Sequence, residues 1–189
     1  MRSGWVDLRE YAGLAPGLVL TLIVSVIAAT RTARFLAISV ALAWALLFSV
    51  GLILSVTITP SREALAEGLG GAGATFCDLS RIGPISLNEL LRFREPSLNV
   101  LLYVPLGATV GLVTRSRRKA AVVILAVLMP FAIEATQGLL PVLGRVCESA
   151  DVVDNLTGLL VGMGIGLVAG LVARGPGPGG SGPGSDETT

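Results

Sequence analysis

The chain has 189 residues, of which 52% are apolar and 14% charged, with a formal net charge of +1. A soluble domain carries about 25% charged residues, so a mean hydropathy of +0.79 excludes an ordinary water-soluble globular protein. The net charge says little about partners, because the charges are segregated by loop.

The apolar residues fall in blocks of roughly 16 to 24, each enough to cross about 30 Å of hydrocarbon. The expected fold is therefore all-α, a polytopic transmembrane helical bundle of about five spans. The first span covers residues 14–30 and contains Pro16. The residues before it mix Arg2 and Arg9 with Asp7 and Glu10, and the basic pair Arg31 and Arg34 comes after it. That order predicts a retained helix rather than a cleaved signal peptide. Cleavage would leave four spans and the same remaining topology. The second span covers residues 35–58.

A long loop, 59–97, follows. Within it "ISLNELLRF" places Ser86 three residues before Glu89, a capping-box spacing, with Ile85 and Leu90 at the staple positions. Leu87, Leu90 and Leu91 form one apolar face, Arg92 and Arg94 follow, and Pro96 is expected to end the element. It can lie in the membrane interface or pack on the bundle. The remaining spans are 98–114, 120–140 and 152–173. The tail "RGPGPGGSGPGSDETT" offers nothing to bury and should be disordered. The chain thus divides into an N-terminal segment 1–34, a membrane domain 35–173 and a tail 174–189.

Orientation follows from basic residues in short junctions. Arg31 and Arg34, the run "RSRRK" from Arg115 to Lys119, and Arg174 have no acid nearby. These junctions belong in the cytoplasm, so the N-terminus lies outside, the C-terminus is cytoplasmic, and loops 59–97 and 141–151 lie outside. "RSRRK" is a topology determinant touching anionic lipid at most, and nucleic acid is not an expected partner. Cys77 and Cys147 fall in different outer loops. They can form the single intramolecular bridge an oxidising exterior allows, or be two unrelated small residues. A bridge would pin the long loop over the mouth of the last two spans.

The fourth span holds a polar pair inside an apolar segment. "AAVVILAVLM" is followed by "PFAIEATQG", which puts Glu134 and Gln137 on one helical face. Glu134 should sit roughly 9 Å below the interface, where an ionised carboxylate needs a partner or a water-filled cavity. The fifth span opens with "ADVVDNLTG", and Asp151, Asp154 and Asn155 share one side of it. Steps of four from Asp154 give Gly158, Gly162, Gly166 and Gly170. From Asn99 the same steps give Tyr103, Gly107 and Gly111. Small residues at this spacing let helix backbones approach closely in lipid. Pro105 and Pro130 each free a backbone carbonyl one turn earlier. The expected partners of Glu134 at matching depth are Asn99, Asp154 and Asn155, with Arg145 reaching down from the connecting loop. Such a cluster can be interhelical glue or a functional site.

The order and spacing of these motifs resemble the VanZ-like family of small bacterial membrane proteins. The likeness rests on "NVLLYVPLG" with Asn99, Pro105 and Gly107, on Glu134-x-x-Gln137, on Arg145, and on Asp151, Asp154, Asn155 and Gly158. "VTITP", through Pro60, resembles the family's Thr-x-x-Pro exit. The first span, both cysteines and the tail are additions to that pattern. The resemblance implies a bacterial plasma-membrane location and carries an association with teicoplanin resistance. It implies no reaction.

Two classes of function fit. In the first, an outer-leaflet pocket formed by Asn99, Glu134, Gln137, Arg145, Asp151, Asp154 and Asn155 binds a lipid-linked or lipidated ligand. Arg145, Arg92 and Arg94 would meet phosphate; the carboxylates would take amines or hydroxyls. In the second, an intramembrane hydrolase or transferase acts on a phospholipid or polyprenyl-phosphate head group. Glu134 or Asp154 would then be the base and Arg145 the anion clamp. The chain has no histidine, so the usual base is absent and the binding role is preferred to an enzyme. Membrane lipids are the expected partners, and neither a metal nor another cofactor is expected.

Overall fold

In a computed structural model the described residues are 14–60, 66, 77–84, 86–91, 95–113 and 117–173. Ile85, Arg92, Arg94, Arg115, Arg174 and the tail lie outside them. The described residues form helices and irregular segments, with no strand among them.

Helix α1 spans Leu14–Leu36 and α2 spans Val40–Thr57. The first helix runs past its expected end at residue 30, through Arg31 and Arg34. No helix breaker stands there, and long arginine side chains reach toward water from a buried backbone. It stops where Ala37 takes a left-handed φ of 54°. Ser39 then caps α2 by accepting from the Leu42 N–H at 3.2 Å.

Helix α3, Leu87–Leu90, is a single turn. Its capping box forms in both directions: the Glu89 N–H donates to Ser86 Oγ at 3.3 Å, and the Ser86 N–H donates to Glu89 Oε2 at 3.2 Å. Pro96 does not end this turn. It stands second in α4, Glu95–Leu112, where a missing N–H has no intrahelical partner to lose. Helix α5 spans Lys119–Leu139 and α6 spans Ser149–Val172. Pro105 and Pro130 lie inside α4 and α5 without interrupting either helix.

Four helices, α1, α2, α5 and α6, are long and apolar enough to cross a membrane. The expected third span is shorter, an apolar stretch Pro96–Leu112 within α4. It is the innermost element, with Val100, Tyr103, Leu106 and Val110 all buried, as is Val113 just past its end. Around it close Leu46 and Ile53 of α2, Ala126 and Ile133 of α5 and Leu159 of α6. Outward-facing residues of the outer helices are large and apolar, such as Ile27, Leu125, Leu160 and Val168. That pattern suits lipid, not water.

The tightest contact is between α4 and α6, which run parallel. A Cβ at Gly158, Gly162 or Gly166 would fall on the carbonyl oxygens of Val100, Val104 and Ala108 respectively. Both series advance by one helical turn, so the two backbones keep one register. Gly107 and Gly111 return the fit, facing the backbone of α6 at Leu159–Gly162 and Met163–Gly166. Gly170 makes only an ordinary contact, 3.7 Å to Leu112 Cδ2. Helix α1 docks on α2 by the same device. Gly17 abuts Ser55, Gly51 abuts Thr21, and the Thr21 and Ser55 hydroxyls are 3.1 Å apart.

The bundle has two distinct ends. At the basic end Arg118 donates to the Phe35 carbonyl and stacks 3.9 Å over the Phe35 ring. This joins the end of α1 to the turn before α5. At the other, polar end, α2 and α5 finish while α4 and α6 begin.

Candidate functional site

The polar end is built by a clamp and a buried layer. The clamp is segment 77–83, tied along the start of α6. Cys77 and Cys147 are disulfide-bonded across 70 residues of sequence. Closing a loop of that length removes denatured-state entropy worth up to roughly 4 kcal/mol. The Asp78 N–H donates to the Cys147 carbonyl and the Ser149 N–H donates to the Asp78 carbonyl, both at 2.8 Å. The second bond satisfies a donor in the first turn of α6 that no helical carbonyl can reach. Ser149 Oγ then donates to the Arg81 carbonyl at 2.8 Å.

These ties set the Arg81 side chain over Asp154. Arg81 Nη2 lies 2.5 Å from Asp154 Oδ2, and Nη1 lies 3.3 Å from Oδ1. Asp154 is fully buried, whereas the Arg81 side chain keeps 37% of its surface exposed. The carboxylate holds the guanidinium above its already high ordinary pKa, chiefly through this hydrogen bond. Asp151 and Glu89 add to the negative field on Arg81.

Expected partnerships differ from observed ones. Glu134 bonds neither Asn99, Asp154 nor Asn155; its Oε2 accepts from the Glu148 N–H at 2.8 Å. Asp151 and Glu148 are its electrostatic neighbours. Gln137 Nε2 donates to the Thr57 carbonyl at 3.0 Å, and Arg145 Nη2 donates to the Val56 carbonyl at 3.1 Å. Both carbonyls end α2, where helical partners run out and the dipole favours a cation. Arg145 thus answers a helix end instead of reaching Glu134. Asn99 is half-buried one turn before Tyr103.

Glu134, Gln137, Asn155 and Tyr103 are all buried, the last completely. Three of them hold atoms without a hydrogen-bond partner among the described residues: Gln137 Oε1, Asn155 Oδ1 and the Tyr103 hydroxyl. Buried polar atoms are normally paired, so this layer is unusual. The sequence pointed to Glu134, Gln137 and Asn155 by helical spacing. It did not single out Arg81 or the hydroxyl of Tyr103. Arg81 stands four residues beyond Cys77, so the disulfide is the signal that could have placed it against α6.

Fold and site define an all-helical membrane protein with a clamped, partly unsatisfied polar layer at one end. Residues 35–170 match the family model described as VanZ/LLP1. This covers well over half of the chain, which belongs to that family. No curated protein and no solved structure matches it.

Proposed function

We propose that the chain is a multi-pass protein of the bacterial plasma membrane whose polar end engages a lipid-linked or lipidated envelope ligand. The observation that carries this reading is the buried layer around Glu134. Glue between helices satisfies its own members. Here Glu134 has no cationic partner among the described residues, and Gln137 and Asn155, buried at the same end, keep free acceptors. Intramembrane carboxylates of this kind mark ligand or ion sites. Tolerance to teicoplanin-type glycopeptides is the phenotype that the family likeness attaches to such a role.

An exterior polar end fits the charge pattern. Arg31, Arg34, Arg117, Arg118 and Lys119 gather at the opposite end. A disulfide also belongs in an oxidising compartment. In intact cells a membrane-impermeant maleimide should label neither cysteine until an impermeant reductant is added. Labelling before reduction rules out the bridge. Labelling after reduction only in inverted vesicles reverses the orientation.

The hydrolase reading needs Arg145 as an anion clamp and a free carboxylate as base. Glu134 meets the second need, but Asp154 is held by Arg81 and Arg145 is turned to the end of α2, so the anion clamp is missing and the geometry favours binding. The test is the lipid retained by purified full-length protein, read by mass spectrometry, together with head-group release. Asn155→Leu should strip a retained lipid, whereas Leu160→Ala, on an exposed apolar face, should keep it. Equal retention in both variants sinks the reading. Release of a head group that Glu134→Gln abolishes favours the enzyme.

A further inference from the structure

The unmatched buried atoms on α4, α5 and α6 are all oxygens, whereas a buried donor, Arg145 Nε, stands in the segment before α6. Glu134 presents a carboxylate with one backbone donor and no cation beside it among the described residues. Gln137 presents its Oε1 to the layer, because only Nε2 can donate to the Thr57 carbonyl. Asn155 adds Oδ1, and the Tyr103 hydroxyl can accept as well.

These groups all lie in the polar-end halves of their helices. Gln137 lies one turn beyond Ile133 on α5, and Asn155 lies one turn before Leu159 on α6. Ile133 and Leu159 meet in the same core cluster, which also contains Tyr103. The Tyr103 phenol is near enough to Glu134 to feel its charge, yet makes no hydrogen bond to it. Helix α5 packs more sparsely on α4 and α6 than those two pack on each other.

We propose that this layer binds a protonated primary amine, as carried by an aminophospholipid head group. The proposal rests on the reading that the polar end engages a lipid-linked ligand, and it names the chemistry recognised there. An ammonium group has three N–H donors and no acceptor. The layer offers three acceptors to match: the Glu134 carboxylate, Gln137 Oε1 and Asn155 Oδ1. The ligand's charge compensates the buried carboxylate, and a charge-assisted bond is the strongest kind available. A trimethylammonium group carries charge but no N–H, so both amide oxygens would stay unpaired. A bare phosphate finds a poor match. Arg81 is held by Asp154, and Arg145 reaches the end of α2.

The experiment uses full-length protein in detergent and native mass spectrometry. The probes are phosphatidylethanolamine, phosphatidylcholine and phosphatidylglycerol with identical acyl chains, and free ethanolamine as competitor. Phosphatidylethanolamine should be retained at least about tenfold more strongly than the other two, a gap of 1.4 kcal/mol. Glu134→Gln should erase that preference. Tyr103→Phe, which keeps the ring and removes only the hydroxyl, should weaken it with an unchanged melting temperature, and serves if Glu134→Gln fails to fold. Competition by ethanolamine makes the amine alone sufficient; a preference that ethanolamine cannot disturb makes the lipid the source. Both outcomes support the proposal. Equal retention of the three lipids overturns it, as does a Glu134→Gln protein that keeps the preference. Retention of phosphatidylglycerol above the others, lost in Asn155→Leu, overturns the amine assignment alone. If no lipid responds to any variant, the ligand reading falls with it.

Discussion

Gly162→Ala is expected to cost about 1–3 kcal/mol, and Gly162→Leu to abolish the native contact between α4 and α6. The cause is backbone against backbone. A Cβ at Gly162 would overlap the Val104 carbonyl oxygen and lie 2.8 Å from the Ala108 nitrogen and 2.9 Å from the Gly107 Cα. None of these atoms belongs to a flexible side chain that could swing away. In lipid no hydrophobic term pulls the displaced helix back, because the hydrocarbon around it is as apolar as the contact it left. Gly164→Ala is the matched control. It sits two residues further along the same helix with nothing within 4 Å. Alanine is the better helix former by roughly 0.8–1 kcal/mol, so this change should be neutral or mildly stabilising. Denaturation midpoints of the full-length proteins in one detergent decide the matter. Equal midpoints for the two alanine variants would mean that the ridge is not a contact. Because the ridge fixes the depth of α6 against α4, Gly162→Leu should also abolish the lipid retention proposed for the polar layer, though residue 162 lies two turns below it.

The glycine ridge was legible because glycine is conspicuous when it recurs every fourth residue. The equivalent ladder on α1, Gly17, Thr21, Ser25, Ala29 and Ala33, carries the same meaning. It is hard to see, since threonine, serine and alanine are ordinary residues in a helix. Helical period also put Glu134 beside Gln137, and Asp154 and Asn155 on one side of α6. What period cannot supply is a partner from an irregular segment. Arg81 and Asp154 are 73 residues apart, and the Cys77–Cys147 bridge, two backbone bonds and the Ser149 hydroxyl bring them together. Depth matching made Arg145 a natural partner for Glu134, but the unsatisfied carbonyls at the end of α2 are closer claims on its donors. Pro96 illustrates the ambiguity of local signals. Proline stops a helix that precedes it and starts one that follows it. Here the second role prevails.

Arg81→Ala is expected to be among the most damaging single changes at the polar end. It leaves the Asp154 carboxylate fully buried without its bidentate partner. Breaking a buried pair by removing one member typically costs 3–5 kcal/mol, most of it the penalty on the charge left behind. The Arg81 side chain is 37% exposed, so water screens part of the interaction and the lower end, about 3 kcal/mol, applies. The change in the other member is not symmetric. Asp154→Asn leaves a guanidinium that can turn to solvent and still reach the Gly83 carbonyl, which it already contacts at 3.0 Å. Its cost should be nearer 1–2 kcal/mol, the range of a weakened hydrogen bond. Joining the two changes should recover much of the loss, because Arg81→Ala no longer strands a charge when residue 154 is neutral. A double-mutant cycle on the denaturation midpoint measures this coupling, expected at about 1–3 kcal/mol. Additive losses would show that the two side chains are neighbours without being a pair, and that the disulfide and Ser149 alone hold segment 77–83 on α6. A further reading separates fold from function. If the pair only positions the clamp, the double variant should regain lipid retention along with stability. If stability returns and retention does not, Asp154 or Arg81 touches the ligand itself.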